Sequence, residues 1–547
     1  MTLRKSNIER LRDGQFDVLV VGAGINGAVS AAALSCAGAS VALVDRADFA
    51  GQTSSQSSNL AWGGIKYLEG GEFGLVNKLC KSRNQLMREY PSTVKEIRFL
   101  ATVEKKFRVP PIVIYAGTLM YWLMGRFATR RPHFLGVEAL KARESVIDVS
   151  DARAGIEYSD CYLYDNDARF VFNFVRNAMN YGATAANYID CDSLSRRDGM
   201  WHARLRDRRS DSRFDLTART VVNACGPGVD ALNERAGITT DHRHVFSKGV
   251  HLIVERVMDT RRVLAFFASD GRLFFVMPMG PRTCIGTTDT RVSDPHTGVT
   301  DEDRDFILAN ANELLDLPRP LRREDIIAER CGVRPLAVAG QDAGDDWVAL
   351  SRKHIIESDS QRAFLSIFGG KITDCLNVGD EVAEAVASMG VALPHVKRQW
   401  YGEPPASVRE EFMHQARRMS LDTLRHRLAS EPLARRFWRR YGARAFEMLE
   451  TIRRDPDSAS PLIENTEYLR CEIEQAARDE MITTLDDFLR RRSKITMVMS
   501  PAELAHSAGL REACRILFGD QADERLREYF EEQGLRGPAQ DPTRSAG

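Results

Sequence analysis

Residues 16–45 read FDVLVVGAGINGAVSAAALSCAGASVALVD. An apolar run at 18–21 enters Gly22-Ala23-Gly24-Ile25-Asn26-Gly27. Small residues follow over a helical length, and a second apolar run at 41–44 ends in Asp45. Gly22 permits a tight strand-to-helix turn, Gly24 lets the backbone approach a pyrophosphate, and Gly27 lets the helix lie close to the sheet. The helix N-terminus offers N–H groups and a partial positive charge to phosphates. Asp45 stands where a carboxylate accepts ribose hydroxyls. A lone G-x-G-x-x-G is a weak signal. Two strands, a helix and an acid within about 30 residues make it specific for a dinucleotide.

Composition bounds the rest. The 547 residues leave room for about two or three domains. Lys+Arg and Asp+Glu both number 76, so no net charge points to nucleic acid. The 10 cysteines contain no C-x-x-C pair, which argues against a zinc or redox-pair site and for reduced thiols in a cytoplasmic setting. The first 15 residues, MTLRKSNIERLRDGQ, lack an apolar core, so no signal peptide is expected. One stretch qualifies a soluble reading. PPIVIYAGTLMYWLMGR at 110–126 has an uncharged run shorter than the roughly 20 residues a spanning helix needs. It reads as a buried or an interfacial helix. Tyr115, Tyr121 and Trp122 suit a headgroup boundary, with Arg126, Arg130 and Arg131 beside them.

Apolar spacing predicts helices over about 73–89, 167–180, 302–315 and 376–389. Strands are expected at 201–205, at 220–224 and through 245–290, where β-branched and aromatic residues alternate with turn residues. After Pro404-Pro405 the chain turns helical and Arg-rich, and the arginines of ARRFWRR (434–440) are expected to face solvent. The tail 537–547 is expected to be disordered.

Seven stretches then recur in a known order: TSSQSSNLAWGGIKYLE (53–69), EYSDCYLYDNDAR (157–169), VVNACGPGVD (221–230), SKGVHLIV (247–254), IGTTDT (285–290), CGVRPL (331–336) and SIFGGKIT (366–373). Together they resemble the FAD-dependent glycerol-3-phosphate dehydrogenases of the quinone-linked or oxidase type, over about residues 15–500. The resemblance implies an α/β fold: a doubly wound, Rossmann-like FAD-binding domain, an inserted, mainly antiparallel substrate domain, and a C-terminal helical domain. The expected boundaries are 15–400 for the oxidoreductase region and 405–535 for the helical domain. Within the first, the FAD-binding part takes 15–95, 150–235 and 345–400, and the substrate part takes 96–149 and 236–344.

The implied chemistry is oxidation of sn-glycerol 3-phosphate to dihydroxyacetone phosphate by hydride transfer from C2 to flavin N5, with electrons passed to quinone or oxygen. FAD is expected to be non-covalent, since no attachment motif stands out. It would be held by Gly22, Gly24, Asn26, Gly27, Asp45, Thr53, Ser54, Ser55, Gly63, Gly64, Gly370, Lys371 and Ile372. Arg suits bidentate phosphate contact and Lys acts as a point charge. Arg334, Arg352 and Lys371, with Tyr67, match family positions that hold the substrate. His251 is the candidate base because imidazole titrates near neutrality. Arg334 and Lys66 are the other candidate catalytic groups. No metal site is expected. The remaining partners implied are the inner face of the cytoplasmic membrane and a second copy of the chain.

The chain departs from the family where His-Gly-Gly-(Leu/Val)-Arg-Tyr becomes Trp62-Gly63-Gly64-Ile65-Lys66-Tyr67. Lys66 keeps a charge without the planar fork, and Trp62 removes a titratable group. Substrate identity therefore stays open between glycerol 3-phosphate and another anionic alcohol, a phosphorylated polyol or a 2-hydroxy acid. A nicotinamide enzyme and a non-catalytic FAD-binding relative are the competing classes. Flavin absorbance would exclude the first of these, and reduction by any substrate would exclude the second.

Overall fold

The computed structural model describes residues 2–340, 353–424, 429 and 431–534. The chain divides into two compact units at Glu403/Pro404.

The first unit is built on two sheets. One has eight strands, and its central path runs Ile355–Asp359, Phe364–Phe368, Arg213–Asn223, Gln15–Val21, Val41–Val44, Thr184–Ala186. The strand Gln15–Val21 lies parallel to both its neighbours. The parallel core of a sheet is covered on both faces, and residues 18–20 of its central strand are fully buried. The helix Ile25–Cys36 packs against the helices Asp167–Asn180 and Cys375–Ser388. Its Ala and Gly residues allow that close approach. The Ser57 N–H donates to Asp167 Oδ2 at 2.7 Å, fastening the Ser-rich loop to the start of the second helix.

The second sheet has ten strands and is mainly antiparallel. Its longest pairing runs His242–Val254 against Ala328–Ala339, in unbroken register from His242↔Ala339 to Ile253↔Ala328. A cluster including Leu100, Val250, Phe266, Phe274, Ile285 and Ile307 fills one face. One boundary differs from the sequence grouping. The strand Ala152–Leu163, assigned to the FAD-binding part with 150–235, pairs with Val94–Glu104 and so belongs to the ten-stranded sheet. The pairing partner sets membership here, and it lies about 50 residues upstream, beyond what local periodicity reports.

The second unit is helical. Its arginines correct another expectation. Arg435 faces solvent, but Arg436, Arg439 and Arg440 are buried. Arg436 Nη2 and Arg440 Nη1 reach the two oxygens of fully buried Glu472 at 2.6 and 2.9 Å, and Arg439 pairs with Glu431. Glu472 lies in a later helix, Arg470–Asp479, so the periodicity of 434–440 could not reveal that pairing. Removing one partner of such a pair strands a buried charge. Glu472→Gln should lower the stability of this unit by about 3 kcal/mol or more, measured as a shift in its denaturant midpoint. An unchanged midpoint would show that the network contributes nothing.

Candidate active site

Two adjoining cavities share Ile25, Thr53, Ser54, Pro335, Gly369 and Gly370 in their walls. The first, about 170 Å³, follows the glycine turn. Gly22 has φ +98°, and a Cβ there would lie 2.4 Å from the Ala224 oxygen. Asp45 accepts from the Ala23 and Ala47 N–H groups at 2.6 and 2.8 Å. Burial nevertheless pushes its carboxyl up to about 6. Ser54 Oγ accepts from the Ile25 N–H at 2.9 Å, at the start of the helix. Asn26 Nδ2 donates to the Gly369 oxygen at 2.9 Å, while its buried Oδ1 has no partner among the described residues. An orphaned acceptor, a glycine cradle and a helix N-terminus on one slot fit a dinucleotide.

The second cavity, about 280 Å³, is lined by His251, Arg334, Lys371, Tyr67, Trp62 and Ser58 among others. Its back wall is the long antiparallel pair. Residues two apart on a strand share a face. Arg330, Gly332 and Arg334 therefore lie opposite His251, Gly249 and Ser247. Gly249 leaves the space Arg334 fills: a Cβ there would lie 2.4 Å from the guanidinium. Arg334 Nη1 stands 3.5 Å from Asp289 Oδ1, which in turn accepts from the Ser247 hydroxyl. Lys371 Nζ donates to Tyr67 Oη at 2.8 Å and sits 4.2 Å over that ring.

His251 is 1% exposed. Its Nε2 lies 3.2 Å from Ser58 Oγ, and its Nδ1 has no partner among the described residues. Burial, followed by the charges of Arg330 and Arg334, holds the imidazole well below its usual range. It is therefore neutral at neutral pH.

Several expected site residues sit elsewhere. Lys66 is exposed and does not line either cavity. Gly64, at φ +81°, starts a single 3₁₀ turn, Ile65–Leu68, in which Tyr67 faces the cavity and Lys66 faces out. Gly63 and Gly64 line neither cavity. Gly63 donates to buried Asp160 at 3.1 Å, and a Cβ on Gly64 would strike the Tyr67 ring. Both glycines shape the wall. Gly27 packs on the Gly22 oxygen, and Ser55 Oγ donates to the Gln52 oxygen at 2.9 Å inside its own loop. Thr53, Ser54, Gly370 and Ile372 do line the cavities. Arg352 lies outside the described residues.

Sequence reasoning missed Arg330. It is 2% exposed and bonds Asp167 Oδ2 at 2.7 Å, the Ser55 oxygen at 3.0 Å and Asn59 Oδ1 at 3.1 Å. It anchors the Ser-rich loop over the cavity. Its period-two spacing from Arg334 was the available signal. Ser58 and Thr287, also in the wall, were hidden among other hydroxyl residues. Among the described residues no group of His, Cys, Asp and Glu is arranged to hold a metal ion.

The family model described as FAD dependent oxidoreductase matches residues 17–373, and the C-terminal domain of alpha-glycerophosphate oxidase matches 406–513. A glycerol-3-phosphate dehydrogenase of Pseudomonas aeruginosa is 31% identical over 511 residues, covering 89% of this chain and 93% of that protein. The aerobic glycerol-3-phosphate dehydrogenase of Escherichia coli is 28% identical, covering 87% and 93%. The crystal structure of the glycerol-3-phosphate dehydrogenase from Bacillus halodurans complexed with FAD shares the fold, with TM-score 0.73 at 24% identity and 97% coverage of both chains. The chain is an FAD-dependent oxidoreductase that belongs to the glycerol-3-phosphate dehydrogenase family.

Proposed function

We propose that this protein oxidises sn-glycerol 3-phosphate to dihydroxyacetone phosphate and passes the electrons to a membrane quinone. The observation that carries the reading is the convergence of His251, Arg334 and Lys371 on one cavity that continues into the dinucleotide slot. FAD supplies the hydride acceptor when bound. The chain does the rest. Gly22, Gly24, Asn26, Asp45, Thr53 and Ser54 hold the dinucleotide. Arg334 and Lys371 hold the substrate phosphate, with Asp289 and Tyr67 orienting their charges. His251 takes the hydroxyl proton at Nε2, beside the Ser58 hydroxyl, as the hydride leaves C2. The test is anaerobic bleaching of the purified yellow protein by sn-glycerol 3-phosphate. Full-rate bleaching supports the reading; no bleaching overturns it.

Trp62 favours a second reading. Its ring joins Tyr67 (centroids 6.0 Å apart) and Phe275 in the cavity wall, and Lys66 adds no charge there. An anionic alcohol other than glycerol 3-phosphate, a phosphorylated polyol or a 2-hydroxy acid, would suit that wall. A panel of such compounds ranked by bleaching rate separates the two.

His251→Asn should slow flavin reduction about 10²-fold or more with FAD retained. Because the imidazole is held below its usual value, wild-type kcat/KM should be level through neutral pH. It should fall only on the acid side, as the imidazole takes up a proton. A midpoint at or above 6.5, the ordinary imidazole value, would exclude His251 as the base.

The helix Pro111–Met124 supports peripheral docking on the inner face of the cytoplasmic membrane. Ile112, Val113, Met120, Leu123 and Phe127 form an exposed apolar stripe at helical spacing, with Arg126, Arg130 and Arg131 exposed beside it. Tyr121, expected at the headgroups, instead points inward and donates to Asp160 at 2.6 Å. Among the described residues no helix is long and apolar enough to cross a membrane. Ile112→Ser with Leu123→Ser should lower binding to anionic vesicles about tenfold or more, read by co-sedimentation. Wild-type co-sedimentation would rule this face out.

A further inference from the structure

The turn 369–373 contributes to both cavities: Gly369, Gly370, Lys371, Ile372 and Thr373 all appear in their walls. Asn26 reaches the Gly369 oxygen, the Gly369 N–H donates to His244 Nε2 at 3.1 Å, Lys371 reaches Tyr67, and Thr373 Oγ1 donates to the Trp62 oxygen at 3.2 Å. Behind the turn, one buried side chain joins both its ends.

That side chain is His354, 8% exposed. It directly precedes the strand Ile355–Asp359, and Ile355 pairs with Phe368, the residue before the turn. Its Nδ1 stands 2.9 Å from Asp374 Oδ2, an ion-pair distance without hydrogen-bond alignment, and Asp374 is the residue after the turn. Asp374 is also the N-cap residue of the helix Cys375–Ser388. The other ring nitrogen, Nε2, is 2.8 Å from Glu381 Oε2 on that helix. Asp374 Oδ1 accepts from Ser82 Oγ at 2.8 Å and from Asn377 Nδ2 at 2.5 Å. Lys78 approaches both acids, 3.6 Å from Asp374 and 3.3 Å from Glu381. No other function described above uses this cluster.

We propose that His354 is a positioning residue: as an imidazolium bridging Asp374 and Glu381, it locks the turn that carries Lys371 against the cofactor cavity. Nε2 bonds Glu381 in either form, but only the charged ring, with a proton on each nitrogen, turns a proton rather than a lone pair toward Asp374. Burial works against the charge, but Asp374 and Glu381 outweigh it and hold the imidazole above its usual value. A group shifted this way contributes fully below its unfolded pKa, and its contribution is lost as pH rises through the folded value. The lock therefore opens on the alkaline side. His251, shifted the opposite way, acts on the acid side, so the two are separable in a pH profile. The proposal rests on the turn being part of the FAD site, and it does not depend on which alcohol is oxidised.

The experiment follows FAD release from the holoenzyme by flavin fluorescence, as a function of pH, with no substrate present. Wild type should release FAD slowly at acid and neutral pH and faster as pH climbs above the ordinary imidazole range. His354→Gln should release it about tenfold faster at neutral pH, the scale of one lost charge-assisted bond, and show no alkaline step. His354→Arg, permanently charged, should restore slow release and carry it to high pH. Wild-type release and pH dependence in His354→Gln would overturn the proposal. If that variant does not fold, an alkaline step persisting in His354→Arg would overturn it equally. Failure of glycerol 3-phosphate to bleach the flavin would sink the proposed substrate and leave these release rates standing.

Discussion

Arg334→Ala should lower kcat/KM for flavin reduction by about 10²- to 10³-fold, the loss expected when a partly buried, charge-assisted contact to an anion is removed. FAD should remain bound. The guanidinium lies in the second cavity, on the strand Ala328–Ala339, held by Asp289 and by the space that Gly249 leaves. Nothing in the glycine turn depends on it. The measurement is anaerobic stopped-flow reduction, with the flavin spectrum recorded beforehand. Wild-type kinetics in the variant would remove Arg334 from the site. Arg334→Lys should recover only part of the rate, because a point charge cannot reproduce the planar fork.

Gly27→Ala should abolish FAD binding and destabilise the first unit by about 1–3 kcal/mol, the cost of overpacking a close contact. The added Cβ would lie 1.7 Å from the Gly22 oxygen and 2.9 Å from its carbonyl carbon. Both are backbone atoms of the turn that faces the dinucleotide, so no side chain can swing aside. Either the helix Ile25–Cys36 lifts from the sheet or the turn deforms, and each removes the phosphate cradle. A yellow Gly27→Ala protein with the wild-type denaturant midpoint would contradict this account. Gly27 thus acts on the cofactor through packing, without lining the cavity.

The two predictions fall on residues of different legibility. Gly27 was readable because its constraint is local: a turn and the helix it opens lie within about ten residues, and their spacing reports the geometry. Arg334 was readable only through its company in CGVRPL and the other motifs, since an isolated arginine looks like a surface charge. Lys66 shows where motif position misleads. A family residue is carried over by alignment, but one left-handed glycine, Gly64, determines which side chains of the next turn face the cavity. Asp289, Ser58 and His354 were not singled out at all. Each matters through a partner tens or hundreds of residues away, and pattern carries no information about such pairs.

From the sequence alone followed the dinucleotide turn, the strand and helix succession around it, and the family with its FAD chemistry. The turn and the succession of elements rest on short-range rules: period two, period 3.6, and glycine where a Cβ cannot fit; the family rests on the resemblance of seven motifs in order. Only the tertiary structure brought His251, Arg334 and Lys371 to one cavity and turned Lys66 away from it. It also buried Arg436 and Arg440 against Glu472 and enclosed His354 between two carboxylates. Burial and charge pairing decide what an ionisable side chain does, and both are set by which distant segments the fold brings together.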